Sequence, residues 1–140
     1  LGQEPNATHI IAKAIELTMA GKDFTLFGKE FDTPDGTCVR DYVHVEDVAQ
    51  GILNSIELLQ TTSGAHTFNL GGERGYSNLE IVESINRVTP LTVNLKYGDP
   101  RAGDPSTLIS DTDAANTILK WNPKHDLDSI ISTAYKWYNK

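Results

Sequence analysis

The residues best placed to do chemistry in this sequence are two arginines that lie far apart along it. Arg40 sits in Thr33-Pro34-Asp35-Gly36-Thr37-Cys38-Val39-Arg40-Asp41-Tyr42-Val43-His44-Val45-Glu46-Asp47-Val48-Ala49, and Arg101 opens Arg101-Ala102-Gly103-Asp104-Pro105. Each stands beside a turn or loop that can present it. A guanidinium fork binds phosphate oxygens in pairs, so two forks can clamp a diphosphate. Asp104, three residues after Arg101, can accept hydrogen bonds from ribose hydroxyls. The plainer reading is an arginine that is solvated or paired with a carboxylate, and the neighbours Arg40 and Asp41 could form such a pair.

Other groups offer less. Phe68-Asn69-Leu70 runs into Gly71-Gly72-Glu73-Arg74-Gly75 and then a helix start. Strand, glycine turn and helix N-terminus are the parts of an anion site. The spacing is Gly-Gly-x-x-Gly, however, not the dinucleotide pattern Gly-x-Gly-x-x-Gly, and Glu73 would repel a pyrophosphate. The expectation is therefore a connection that needs glycine torsions. Four histidines, His9, His44, His66 and His125, show no metal-site spacing. Glu46 and Asp47, next to His44, read as first-turn carboxylates favoured by a helix dipole. Cys38, the only cysteine, reads as a packing residue and rules out an intrachain disulfide.

These residues need elements to position them. Apolar positions at Ile10, Ile11, Ala14, Ile15 and Thr18/Met19 predict a helix over 9–20, stopped by Gly21. Phe24–Phe27 reads as a strand. Thr33–Thr37 reads as a Pro/Gly turn. Residues 38–45 alternate, with Cys38, Arg40, Tyr42 and His44 on one face and Val39, Asp41, Val43 and Val45 on the other. A helix over Val45–Leu59 follows, with Val48, Ile52, Ile56 and Leu59 as its buried stripe. Residues 66–70 and 91–97 predict further strands. Ser77-Asn78-Leu79-Glu80 is a capping box that opens a helix to about Val88, with Ile81, Val82 and Ile85 inward. Residues 98–107 form a loop. Helices near 113–120 and 126–138 close the chain, the second with Ile130, Ile131, Ala134 and Trp137 inward. The sum is one mixed α/β unit with too few alternating strands for a complete doubly wound sheet.

The whole chain sets bounds. Its 140 residues suffice for one compact domain. The net charge of −7, with no Lys/Arg cluster, speaks against nucleic acid. No apolar run reaches the ~20 residues of a membrane span. Residues 1–8 read as irregular, and a start at Leu1-Gly2-Gln3-Glu4-Pro5 reads like the interior of a longer protein. One cysteine suits a reducing cytoplasm.

The segment Thr33–Ala49 resembles the C-terminal part of the UDP-glucose 4-epimerase family, extended short-chain dehydrogenases/reductases. The likeness continues through His66-Thr67-Phe68-Asn69-Leu70-Gly71, Arg101–Pro105 and Leu119-Lys120-Trp121-Asn122-Pro123, and includes Thr8-His9-Ile10-Ile11. It implies a small mixed α/β substrate-binding region, residues 1–140, with the Rossmann half missing. In the family that half holds NAD and a Tyr-x-x-x-Lys pair. Hydride leaves C4 of the sugar for NAD, the keto sugar turns, and hydride returns to its other face.

Transferred by motif, Arg40 and Arg101 would hold the diphosphate and Asp104 the ribose, with Ala102 and Gly103 between them. Thr25, Leu26 and Phe27 would frame the uracil. Ile10 and His9 would line the pocket, with Tyr42 as a neighbour. Leu108 matches a position that faces the sugar. The resemblance further implies a UDP-sugar substrate, a role in galactose metabolism, a cytoplasmic location and a homodimer for the full-length enzyme. NAD is not expected to bind this chain, because no Tyr has Lys four residues on and the glycine-rich dinucleotide loop is absent. Chain 1–140 is thus expected to be inactive alone, and to expose apolar surface where the missing half packs. A related NAD-dependent nucleotide-sugar epimerase or dehydratase, and a non-catalytic nucleotide-binding module, are the alternatives.

Overall fold

The computed structural model describes residues 9–72 and 74–140. The irregular start expected for residues 1–8, and Glu73 in the glycine turn, lie outside the described residues. Helix α1 spans Ile10–Met19 and strand β1 spans Phe24–Phe27. The chain then turns at 33–37. Asp35 Oδ1 accepts from the amide and hydroxyl of Thr37, each at 2.8 Å, and Gly36 takes φ 77°. That positive φ is why glycine follows Pro-Asp here.

Strand β2 is Val39–Asp41, helix α2 Val45–Leu59, strand β3 Gly75–Ser77 and helix α3 Asn78–Val88. Strand β4 is Leu95–Gly98, strand β5 Thr107–Leu108, helix α4 Asp113–Ile118 and helix α5 Leu127–Tyr138. β1 pairs in parallel with β4, so Thr25 lies opposite Lys96. β2 is the centre of a second sheet, antiparallel to β3 and parallel to β5. The described residues thus form a small mixed α/β unit, as the pattern predicts.

The main core lies between α1, α3 and α5 and the β1–β4 pair. Ile15, Ile81, Ile85 and Ile131 are fully buried there. Burying one such side chain contributes about 1.5–3 kcal/mol. The expected capping box on α3 is present, with Ser77 Oγ accepting from the Glu80 amide at 3.0 Å and Glu80 accepting from the Ser77 amide at 2.8 Å. A smaller core gathers Ala115, Leu119 and Trp121, with Phe68 and Leu70 against them.

Several expectations need correction. α2 has its predicted bounds but not its predicted face. Ile52, Ile56 and Leu59 are more than half exposed, and the helix buries Asp47 and Gly51 instead. The inward side is chosen by close approach, since a Cβ at Gly51 would meet Leu70 at 2.6 Å and Trp121 at 3.3 Å. Residues 66–70 do not form a strand. A strand exists only with a ladder partner, and none among the described residues pairs with this segment.

The alternation at 38–45 yields only three strand residues, because its partners β3 and β5 have three and two residues. The strand expected over 91–97 begins at Leu95. Before it, the amides of Leu91 and Val93 donate to the Thr89 hydroxyl and the Asn86 side chain rather than to a neighbouring strand. α4 stops before 120, where Lys120 takes φ 54°. Trp137 turns outward under the Lys140 ammonium, and Tyr135 and Tyr138 pack on the core in its place.

Candidate functional site

The β2 segment is tied to the site by the half-buried carboxylate of Asp41. Asp41 does not pair with Arg40. Its Oδ1 accepts from the Gly72 amide at 2.5 Å and its Oδ2 from the Ser110 amide at 3.0 Å. A Cβ at Gly71 would lie 2.1 Å from Asp41 Oδ2. The glycine pair therefore exists so that backbone can close onto this carboxylate, in line with the connection reading. A carboxylate now takes the amide that a phosphate would need. The loop does not fit the pyrophosphate of NAD.

Arg40, released from Asp41, turns to the loop that carries Asp104. Arg40 Nη2 lies 3.6 Å from Asp104 Oδ1, and Nη1 donates to the Val39 carbonyl at 2.8 Å. Arg101 and Asp104 come together through a turn in which the Asp104 amide donates to the Arg101 carbonyl at 3.3 Å and Gly103 takes φ 85°. The Arg101 guanidinium stacks on the Phe27 ring at 4.2 Å, a cation–π contact. So the two arginines, distant in sequence, converge.

They converge on a cavity of about 520 Å³. β1 supplies Thr25, Leu26 and Phe27 to its wall, α1 supplies Ile10, β2 supplies Arg40, and the loop after β4 supplies Arg101 and Asp104. Four expected residues stand outside that wall: His9, Ala102, Gly103 and Leu108. Ala102 and Gly103 form the exposed turn itself, and Leu108 is 61% exposed on β5, in register with Arg40. Tyr42 does line the cavity. Its hydroxyl sits 3.5 Å from Asn78 Oδ1, and burial pushes its pKa up to about 12 against the lowering charge of Arg40. It is a neutral phenol at ordinary pH. His9 lies edge-on to Tyr42 at 6.0 Å, and burial lowers its pKa.

The wall holds polar residues that sequence reasoning missed. Lys13 and Asn78 line it too. Asn78 was visible only as part of a capping box, and Lys13 as one polar position in an apolar helix.

The other clusters serve the fold. His44 Nδ1 accepts from the Glu46 amide at 3.1 Å, which makes His44 the N-cap of α2. Its Nε2 then carries the proton and donates to Thr133 Oγ1 at 2.8 Å. His44, Glu46 and His125 have ligand atoms within 4.8 Å of one another, yet both His44 nitrogens are already committed. Asp47, only 3% exposed, accepts from the amides of Lys124 and His125 at 3.1 Å each. Burial pushes its pKa up, but hydrogen bonds from the His125 ring and those two amides outweigh it and hold the carboxyl below the usual range. A second groove, of about 360 Å³, carries Arg74 and Arg87, which are paired with Glu80 and Asp128.

The chain is 43% identical over 133 residues to a UDP-glucose 4-epimerase of Lactobacillus helveticus, matching 94% of this chain and 40% of that protein. The fold superposes on the crystal structure of UDP-glucose 4-epimerase from Brucella ovis in complex with NAD, with a TM-score of 0.90 and 38% identity over 99% of this chain and 43% of that one. It superposes on the Bifidobacterium longum UDP-glucose 4-epimerase in complex with NAD+ and UDP with a TM-score of 0.88 and 27% identity, over 99% and 42%. The chain thus spans about two fifths of the length of the relatives it matches. No helix among the described residues is long and apolar enough to cross a membrane. The sequence pattern of the NAD dependent epimerase/dehydratase family fits residues 2–71, half of the chain, and this chain belongs to that family.

Proposed function

We propose that this chain is the C-terminal UDP-sugar-binding domain of a UDP-glucose 4-epimerase, with residues 1–140 gripping the nucleotide while another part of the polypeptide does the chemistry. The observation that carries the reading is the convergence of Arg40, Arg101 and Asp104 with the Thr25–Phe27 strand on one cavity. Arg40 and Arg101 bind the diphosphate, Asp104 meets the ribose, and Phe27 with its strand backbone frames the uracil. Ala102 and Gly103 set the spacing of the Arg101–Asp104 turn, and Leu108 faces the sugar from β5.

The division of labour has a physical logic. Inversion at C4 needs an anchored nucleotide and a sugar free to turn, so binding energy from the non-reacting part positions the reacting part. NAD and the hydride transfer belong to the remainder of the longer chain. The whole enzyme interconverts UDP-glucose and UDP-galactose in galactose metabolism, works in the cytoplasm and forms a homodimer. The B. longum complex with NAD+ and UDP supports both ligands for the assembled enzyme. The exposed stripe of α2, and the segment 66–70, which finds no ladder partner among the described residues, support a contact with the rest of the chain.

Two observations test the proposal together. The coding sequence before Leu1 is expected to supply a glycine-rich dinucleotide loop and a Tyr-x-x-x-Lys pair, and residues 1–140 alone are expected to give no turnover of UDP-galactose. Turnover by the pure 140-residue chain, or a coding sequence without those motifs, refutes it.

A further inference from the structure

We propose that Lys13 is a third cationic contact for a nucleoside diphosphate in the cavity of Arg40 and Arg101; this rests on the nucleotide-site reading above. Lys13 stands on α1 between Ile10 and Leu17, and all three line the cavity. Spacings of three and four residues put them on one helix face. The adjoining face carries Ile11, Ala14 and Ile15 into the core. A lysine at that boundary can lay its stem along apolar wall and extend its ammonium toward the open side of the cavity. Lys13 is half-buried there.

Among the described residues, no ion pair includes Lys13. The two carboxylates of the wall are engaged elsewhere. Asp104 faces Arg40 at 3.6 Å, and Asp23 accepts a hydrogen bond from the Asn94 side chain and lies 4.0 Å from Lys96. The cavity therefore holds three cations against two committed carboxylates, inside a protein of net charge −7. A concave positive site in an acidic protein selects an anion by its field as well as by contacts. A diphosphate satisfies three cations better than a monophosphate does, so Lys13 sets a preference for diphosphates.

The test is a titration of the 140-residue chain with UDP and UMP at low salt, followed by amide chemical shifts, for wild type and for Lys13→Met, Lys13→Gln, Lys13→Arg and Arg40→Ala. The spectrum of each variant reports its fold, and Lys13→Gln stands in if Lys13→Met fails to fold. The expected result is a UDP dissociation constant raised about five- to tenfold by either charge-free variant. The loss for UMP is smaller, and Lys13→Arg binds within twofold of wild type. UDP affinity within twofold of wild type in the charge-free variants, while Arg40→Ala weakens it, overturns the role of Lys13 and leaves the cavity reading standing. So does an equal loss for UMP and UDP. No loss in any variant, or no UDP binding at all, overturns both.

Discussion

Replacing Asp47 with alanine is expected to destabilise this chain by about 2–3 kcal/mol. The magnitude follows from its partners. The carboxylate accepts from two backbone amides, those of Lys124 and His125, 77 and 78 residues away in sequence. Truncation leaves both amides without their acceptor in a spot where Asp47 itself is 3% exposed. An orphaned donor costs about 1–3 kcal/mol, and partial access of water to the 124–125 loop holds the sum near the lower end for two. The helix end of α2 and the Trp121 core are joined through the same residue, because the Trp121 Nε1–H donates to the Asp47 carbonyl at 2.7 Å. That bond survives the substitution, so the loss belongs to the carboxylate. Urea unfolding followed by circular dichroism reads the effect. With a slope of about 1.5 kcal/mol/M, the midpoint falls by roughly 1–2 M. Asp47→Asn keeps one acceptor oxygen and is expected to lose about half as much. A midpoint for Asp47→Ala that lies within about 0.3 M of wild type would refute this account of the His44–Asp47 segment as an anchor.

Acid acts on the same groups. Asp47, Asp35 and Glu80 have their pKa values held below the usual range by hydrogen bonds that outweigh their burial. Depressed folded values contribute stability above the unfolded carboxylate range near ~4 and lose it as pH falls through the folded values. The urea midpoint is therefore expected to fall modestly as pH drops through the ordinary imidazole range near ~6.5, because burial lowers the His9 pKa, and to drop further below pH 4; a constant midpoint to pH 3 contradicts this. Lys120, exposed and at φ 54°, is expected to gain about 0.5–1 kcal/mol on conversion to glycine, measured by the same unfolding curve, and a loss would contradict the strain argument. The exposed stripe on α2 is expected to drive concentration-dependent self-association of residues 1–140 in sedimentation velocity. Ile52→Glu with Ile56→Glu is expected to abolish it while leaving the urea midpoint unchanged. Association that persists in the double variant places the contact elsewhere.

Local chemistry was legible where it is local. The capping box at Ser77–Glu80, the glycine turn at 36 and the bounds of α1, α2 and α3 follow from a few adjacent residues. α2 shows the limit of periodicity. A stripe at Ile52, Ile56 and Leu59 reports that burial is favourable, not what covers it, and among the described residues nothing does. Residues 66–70 carry strand composition without a partner, and composition alone makes no ladder. β3 and β5 have three and two residues, too few to show alternation.

The cavity itself came from the motif resemblance, which links segments sixty residues apart. Arg40 was legible as a candidate phosphate ligand and its adjacency to Asp41 as a possible pair, but the partner choice depends on where the Gly71–Gly72 and Ser110 backbones arrive. Lys13 and Asn78 belong to no motif in that resemblance, and only the packing of α1 and α3 around β1 and β2 brings them to the same wall.

The central claim is that this cavity grips the UDP part of a nucleotide sugar, and one titration tests it most directly. Labelled chain 1–140 is titrated with UDP, with dTDP and inorganic phosphate as controls, and amide shifts are assigned. The account predicts shifts concentrated at Thr25–Phe27, Arg40 and Arg101–Asp104, larger for UDP than for either control, and lost in Arg101→Ala. Shifts that cluster instead around the Arg74–Arg87 groove, or that are the same for phosphate as for UDP, would contradict it.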